Sequence, residues 1–414
     1  MTKIQSMHDR RHKMVGVLKV LIASSIVACA IGNAIGQQQK PVTVGVLTDM
    51  AGPYASLTGK GSVAAARLAI ADFGGTLLGS PIRLVEGDHQ NKADIASTTL
   101  RRWIDVEKVD AVFDVVNSAV TLLAQETIRQ RGGLLFSTAA LSTQLSGESC
   151  SPYGFTWGSN SYVNAAAIGR LANGTTSKKW YFLQVDNAFS QTMAADLKKN
   201  IEQRGGELVG TAKHPLNTQD FSSFLLQAQS SGAQVLAVIN GGADFITAFK
   251  QADEYGLQER MKLTSPNFSE MDIKSLGLTA GRNLVGVTAY YWNRDAQAKA
   301  VAEKFRARFG EYPTVWQISV YSAVTHYLKA VKAANSLNRD EVAAQVKKIP
   351  VTDPFVKSGS VRADNQLSHD VLIVKVKEAS ANKLSDMDVF DVLEVIKGEE
   401  AFEPIARTRC AFAK

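Results

Sequence analysis

From Pro41 onward the chain repeats one unit: a short apolar run, a loop, and a stretch with apolar residues at helical spacing. The first copy, Pro41 to Phe73, sets the pattern. Val42, Val44, Val46 and Leu47 form a strand-length run rich in β-branched residues. Asp49-Met50-Ala51-Gly52-Pro53-Tyr54 follows, with Gly and Pro setting a turn. Val63, Ala66, Ile70 and Phe73 then recur as one face of a helix would. Strand, loop and returning helix are the first half of a βαβ unit, and open sheets built this way bind ligands beyond the carboxyl ends of their strands.

Further copies are legible along the chain. Strands are expected at Ile82 to Val85, Asp110 to Val116 and Gly133 to Ser137, with helices at Ile95 to Val106 and Val120 to Gln130. The rhythm pauses near Trp157 and resumes with a helix from Ser161 to Leu171. Strands follow at Trp180 to Val185, Leu208 to Ala212, Val235 to Ile239 and Met261 to Thr264, separated by helices at Phe189 to Gln203, Phe221 to Gln229 and Phe245 to Tyr255. Such alternation predicts an α/β protein of two doubly wound, Rossmann-like lobes with parallel sheets. A chain of 414 residues also exceeds one ordinary core. Helices at Gln297–Phe309 and Val315–Asn335 return to the first lobe, and late strands at Val371 to Val376 and Val389 to Val395 belong to the second. The expected division is 41–157 plus 292–353 for one lobe, 158–288 plus 360–398 for the other, and 399–414 as a tail. The alternation allows the chain to cross between lobes near 156–160, 286–292 and 353–362.

The formal charge is +7, but five bases and one acid lie before Gln37, leaving a surplus of three for the rest. That is no basis for binding nucleic acid. Residues 1–36 have the form of a signal peptide: Arg10, Arg11 and Lys13, an apolar stretch from Val15 to Ile31, then Ala34-Ile35-Gly36. A periplasmic location follows, with the mature chain starting at Gln37. A lipid on Cys29, within a lipobox-like Ile26-Val27-Ala28-Cys29, and a retained membrane anchor are the alternatives. Either processing event leaves Cys150 and Cys410, an even pair whose expected state in an exported chain is a disulfide and whose alternative is two buried thiols.

No reaction is nominated. Gly59-Lys60-Gly61 lacks the earlier glycine and the hydroxyl of a phosphate loop. His8, His12, His89, His214, His326 and His369 are scattered without metal-ligand spacing, and no nucleophile elbow occurs. No cofactor is expected.

The stretch VGVLTDMAGPYASLTGKGSVAAARLAI resembles the opening of periplasmic solute-binding proteins of ABC importers, in the branched-chain amino acid receptor group. The likeness extends in architecture from Val42 to Ile396. The likeness alone implies those crossings, and with them a monomer with a hinged cleft that captures a small molecule and docks on a membrane permease. A sensing module of the same fold is the alternative, and a periplasmic enzyme a remote third.

Site residues follow from that resemblance and from loop position. Asn117 and Ser118 open a helix whose free N–H groups attract an anion, unless they merely cap it; in relatives this position carries the ligand carboxylate. Ala139 and Ala140 would add backbone donors. Leu141 stands where relatives have a hydroxyl, so Ser142 is the substitute. Phe189 occupies the place of a closing aromatic, and Gly242 lets backbone approach closely. At Asn267 amino acid receptors typically carry the acid that holds the α-ammonium. A neutral side chain there points away from amino acids, unless Asp186 or Asp244 supplies the charge. Tyr54, Tyr291 and Trp316 are aromatics at loops and crossings facing the expected cleft. Together these residues predict an aromatic or hydrophobic carboxylate as ligand, with an amino acid or amide as the alternative.

Overall fold

The computed structural model describes residues 40–173, 177–378 and 387–413. The proposed signal peptide and the lipid site at Cys29 lie outside them. Among the described residues no helix is long and apolar enough to cross a membrane.

Two sheets organise the chain. The first contains β1 (Thr43–Thr48), β2 (Arg83–Asp88), β3 (Ala111–Asp114), β4 (Leu134–Ser137) and β5 (Gly154–Thr156) in the order β2-β1-β3-β4-β5, all parallel. The second contains β6 (Lys179–Val185), β7 (Glu207–His214), β8 (Val235–Ile239), β9 (Lys262–Ser265), β10 (Val285–Thr288), β11 (Val371–Val376) and β12 (Phe390–Ile396). Its order is β12-β11-β10-β9-β8-β6-β7. Here β6 to β10 run parallel, whereas β11 pairs antiparallel with both β10 and β12, so the expected fully parallel sheet is mixed.

Local sequence explains the elements. β1 and β8 are buried along their whole length, which accounts for apolar runs in place of alternation. Gly45, in the middle of β1, has the indole of Trp103 against it: a Cβ there would lie 2.6 Å from the ring. That tryptophan begins a π-turn, Trp103–Glu107, after the helix Ala93–Arg102, so the expected single helix changes winding at its C-terminal end, where Trp103 alone of the turn is buried.

Helix Val315–Ala334 returns to the first lobe. Thr314 and Gln317 form its capping box, and the same two side chains bond the Leu57 and Thr58 carbonyls at 2.6 and 3.2 Å. Its Tyr327 meets Phe113 edge-on at 5.8 Å, joining a stack of Phe113, Phe136 and Phe155 between strands β3, β4 and β5.

The crossings between lobes are tied by hydrogen bonds. Gln366 donates to the carbonyls of Thr156 and Gly158 at 3.2 and 2.9 Å and accepts from Asn160 at 3.2 Å. Trp157 donates to Ser322, which donates to Asp353 at 2.6 Å. The tail returns to the first lobe through a Cys150–Cys410 disulfide and an Arg409–Glu148 ion pair.

Glu270 opens the helix Glu270–Leu276 beside the second crossing. It is buried, and neither carboxylate oxygen has a hydrogen-bond partner among the described residues. Burial pushes its pKa from 4.5 up to about 8, with Asp272 adding to the rise. The folded chain therefore keeps a proton that the unfolded chain releases. The associated stability is complete below the unfolded pKa and is lost as pH rises through about 8. Asp114 and Asp272, raised to about 6, have largely titrated by then. Between about pH 6.5 and 8 the wild type is expected to lose about 2 kcal/mol, a fall of about 2–3 °C in melting temperature. Glu270→Gln should flatten that slope. Equal slopes in both proteins would assign the proton elsewhere.

Candidate functional site

The carboxyl ends of the strands are in register. Leu47 pairs with Asp114, Asp114 with Ser137 and Ser137 with Thr156, so successive loops leave the first sheet side by side. Asp49 shapes the first loop: its carboxylate accepts from the backbone N–H groups of Gly52 and Tyr54 at 2.8 and 3.1 Å, turning Tyr54 across the cleft. There its hydroxyl accepts from Asn187 of the second lobe at 3.3 Å. Beneath the third loop, Asp114 and Val115 hold φ of +81° and +62°. For a β-branched valine this is a strained conformation, and it delivers Val116, Asn117 and Ser118 to the cleft.

Between the lobes these loops enclose a cavity of about 100 Å³. Ser118 lies on one side at the start of helix Ser118–Arg131. Phe189 and Asn187 approach from the second lobe, and Trp316 comes from the long returning helix. None of the described residues lining the cavity carries a charge.

A family description, periplasmic binding protein, matches residues 41–382. The chain belongs to the periplasmic binding protein family. A periplasmic binding protein of Burkholderia mallei is 37% identical with a TM-score of 0.87, over 90% of this chain and 99% of that one. A branched chain amino acid ABC transporter periplasmic ligand-binding protein of Burkholderia xenovorans LB400 is 39% identical with a TM-score of 0.83, over 90% and 100%. An R. palustris ABC transporter solute-binding protein in complex with benzoate is 20% identical with a TM-score of 0.78, over 86% and 96%, a likeness of fold. The protein thus has the type I periplasmic binding protein fold, and its family is one of solute-binding receptors, not of enzymes.

Within this binding protein the cavity gathers Tyr54, Asn117, Ser118, Ala139, Phe189, Asn267 and Trp316. Four other expected residues do not line it. Tyr291 is buried against Phe390, with ring centroids 5.5 Å apart, and its hydroxyl donates to Asp388. Ser142 turns its hydroxyl to the N–H of Gln144, capping the short turn Thr143–Leu145. Ala140 is buried next to the lining Ala139. Gly242 gives way to Gly241 as the lining glycine and instead touches Pro53 across the cleft.

Leu141 lines the cavity, so an apolar side chain occupies the place where a hydroxyl was expected. Leu57, Val116 and Asn187 are further lining residues that the sequence did not single out. Asn187 carried one signal, an Asn just before a helix, and it does form a capping box with Ser190.

At the helix start Asn117 takes the capping role. Its side chain accepts from the N–H groups of Ala119 and Val120 at 2.9 and 3.1 Å, and its amide donates to Asn91 at 2.6 Å. The cap is real, and it withdraws two helix donors from any ligand. Ser118 keeps a buried hydroxyl with no partner among the described residues. Neither aspartate expected as a substitute charge lines the cavity. Asp186 is exposed and pairs with Lys213 at 3.6 Å, while Asp244 accepts from the Asn217 N–H at 3.1 Å. Burial and then the Asp244 charge raise the Tyr54 hydroxyl to about 12, so Tyr54 stays protonated at neutral pH.

Proposed function

We propose that this binding protein captures an aromatic or hydrophobic carboxylate without an α-amino group and delivers it to its permease. The observation that carries the reading is the uncharged lining: Asn267 faces the cavity and no acid replaces it. An α-ammonium enclosed there would lose its water without gaining a counter-charge. A carboxylate has a place to go at a helix start, beside the Ser118 hydroxyl, which has no partner among the described residues. Leu57, Leu141, Phe189 and Trp316 supply apolar walls. Closure of the lobes, 41–157 with 292–353 against 158–288 with 360–398, retains the ligand because only the closed form contacts it from both sides.

Capture of a branched-chain amino acid is the second reading, favoured by the name of the B. xenovorans relative. Leucine and 4-methylpentanoate differ only in the amino group and separate the two. At 100 times its dissociation constant a ligand stabilises the protein by about 2.7 kcal/mol, visible as a raised melting temperature. We expect 4-methylpentanoate or benzoate to raise it and leucine not to; the reverse would overturn the proposal. Ser118→Ala should weaken the carboxylate by about 10- to 100-fold. An unchanged affinity would place the carboxylate elsewhere.

A further inference from the structure

Beside the main cavity lies a second chamber of about 20 Å³. The two share Leu141, Asn267 and Trp316, so the smaller chamber adjoins the larger one, on its hinge side. Ser319 lines it one helical turn after Trp316, on the same face of the helix. Ser159, from the first crossing between lobes, lines it as well. Both serines are buried, and neither hydroxyl has a hydrogen-bond partner among the described residues. Buried hydroxyls without partners are uncommon, because each has given up water without a replacement. Their pairing in one small chamber calls for a guest.

Size and charge narrow what that guest is. A space of about 20 Å³ holds one water-sized group and excludes a second carboxylate. None of the described lining residues is charged, so an ionised group would enter unpaired. A serine hydroxyl both donates and accepts. A single hydroxyl in the chamber can therefore donate to one serine and accept from the other. We infer that the ligand carries a hydroxyl at the end opposite its carboxylate, held by Ser159 and Ser319. The preferred solute is then a hydroxylated aromatic acid. This inference rests on the carboxylate reading above, and it makes Ser319 and Ser159 specificity-determining residues.

The test compares benzoate with its 3- and 4-hydroxy derivatives by calorimetry on the mature protein, then repeats the comparison with Ser319→Ala and Ser159→Ala. One of the hydroxybenzoates is expected to bind at least about 10-fold more tightly than benzoate, and each variant should bring that ratio towards one. Because the readout is a ratio, a general loss of stability or affinity does not imitate it. If benzoate binds as tightly as both derivatives, a resident water fills the chamber and the inference is overturned while the carboxylate reading stands. A hydroxyl preference that survives both substitutions also overturns it, since the hydroxyl then sits elsewhere. If no benzoate binds and leucine does, the carboxylate reading has failed and the inference with it.

Discussion

Replacing Gly242 with valine is expected to weaken ligand binding by about 100-fold or more, the equivalent of about 3 kcal/mol. Two features converge on this position. Its backbone lies at φ +61° and ψ −134°, a region that side chains rarely enter. In addition, a Cβ there would sit 2.3 Å from the Pro53 carbonyl oxygen, which belongs to the opposite lobe. The clash is with backbone, so no rotamer relieves it. The clash falls on the form in which the lobes meet, whereas the backbone strain is present in both forms, so the ligand-free open protein should still fold with some loss of stability. Gly241→Ala is the comparison. A Cβ at Gly241 comes no closer than 3.3 Å to the Asn267 amide, and a loss below about 10-fold is expected. Calorimetry with the ligand found by screening, together with small-angle scattering for closure, reads both. Wild-type affinity in Gly242→Val would show that Pro53 and Gly242 do not meet in the liganded state.

The second large effect concerns the tail. Cys150 and Cys410 are separated by 260 residues, and their bond removes much of the freedom of the unfolded chain. In the chain-entropy picture this is worth about 5–6 kcal/mol. For a protein of this size that is about 7 °C in melting temperature. The Cys150→Ser, Cys410→Ser double variant should lose about that much. Ligand affinity should change little, because neither cysteine lines the cavity. A melting temperature equal to wild type would mean that the tail remains docked through contacts such as Arg409–Glu148 and that the unfolded chain gains little freedom.

Where sequence reading succeeded, burial on both faces had written the strands as unbroken apolar runs, as at Val235–Ile239. Where it failed, the signal was too short or too polar. β5 is only three residues, Gly154–Thr156, below any usable period. The helix Glu270–Leu276 occupies two turns, and Arg339–Lys348 is half charged with only Val342, Ala343 and Val346 buried. The site was legible in its loops and less so in its side chains. Tyr291 and Trp316 are both aromatics near element ends, and nothing in their sequence context says that one packs inward on Phe390 while the other faces the cavity. Gly241 and Gly242 differ by one position. Only the fold decides which one lines the cavity and which one meets the other lobe.

Gln366 has a mechanical consequence. One amide side chain holds the carbonyls of Thr156 and Gly158 and the side chain of Asn160, beside the point where the chain passes between lobes. A knot of this kind behaves as a pivot pin. Segments fastened to it can turn but cannot slide past one another, so the travel of any atom grows with its distance from the pin. The same few degrees of rotation that leave Gln366 nearly in place would carry Tyr54 and Asn187 apart at the far jaws.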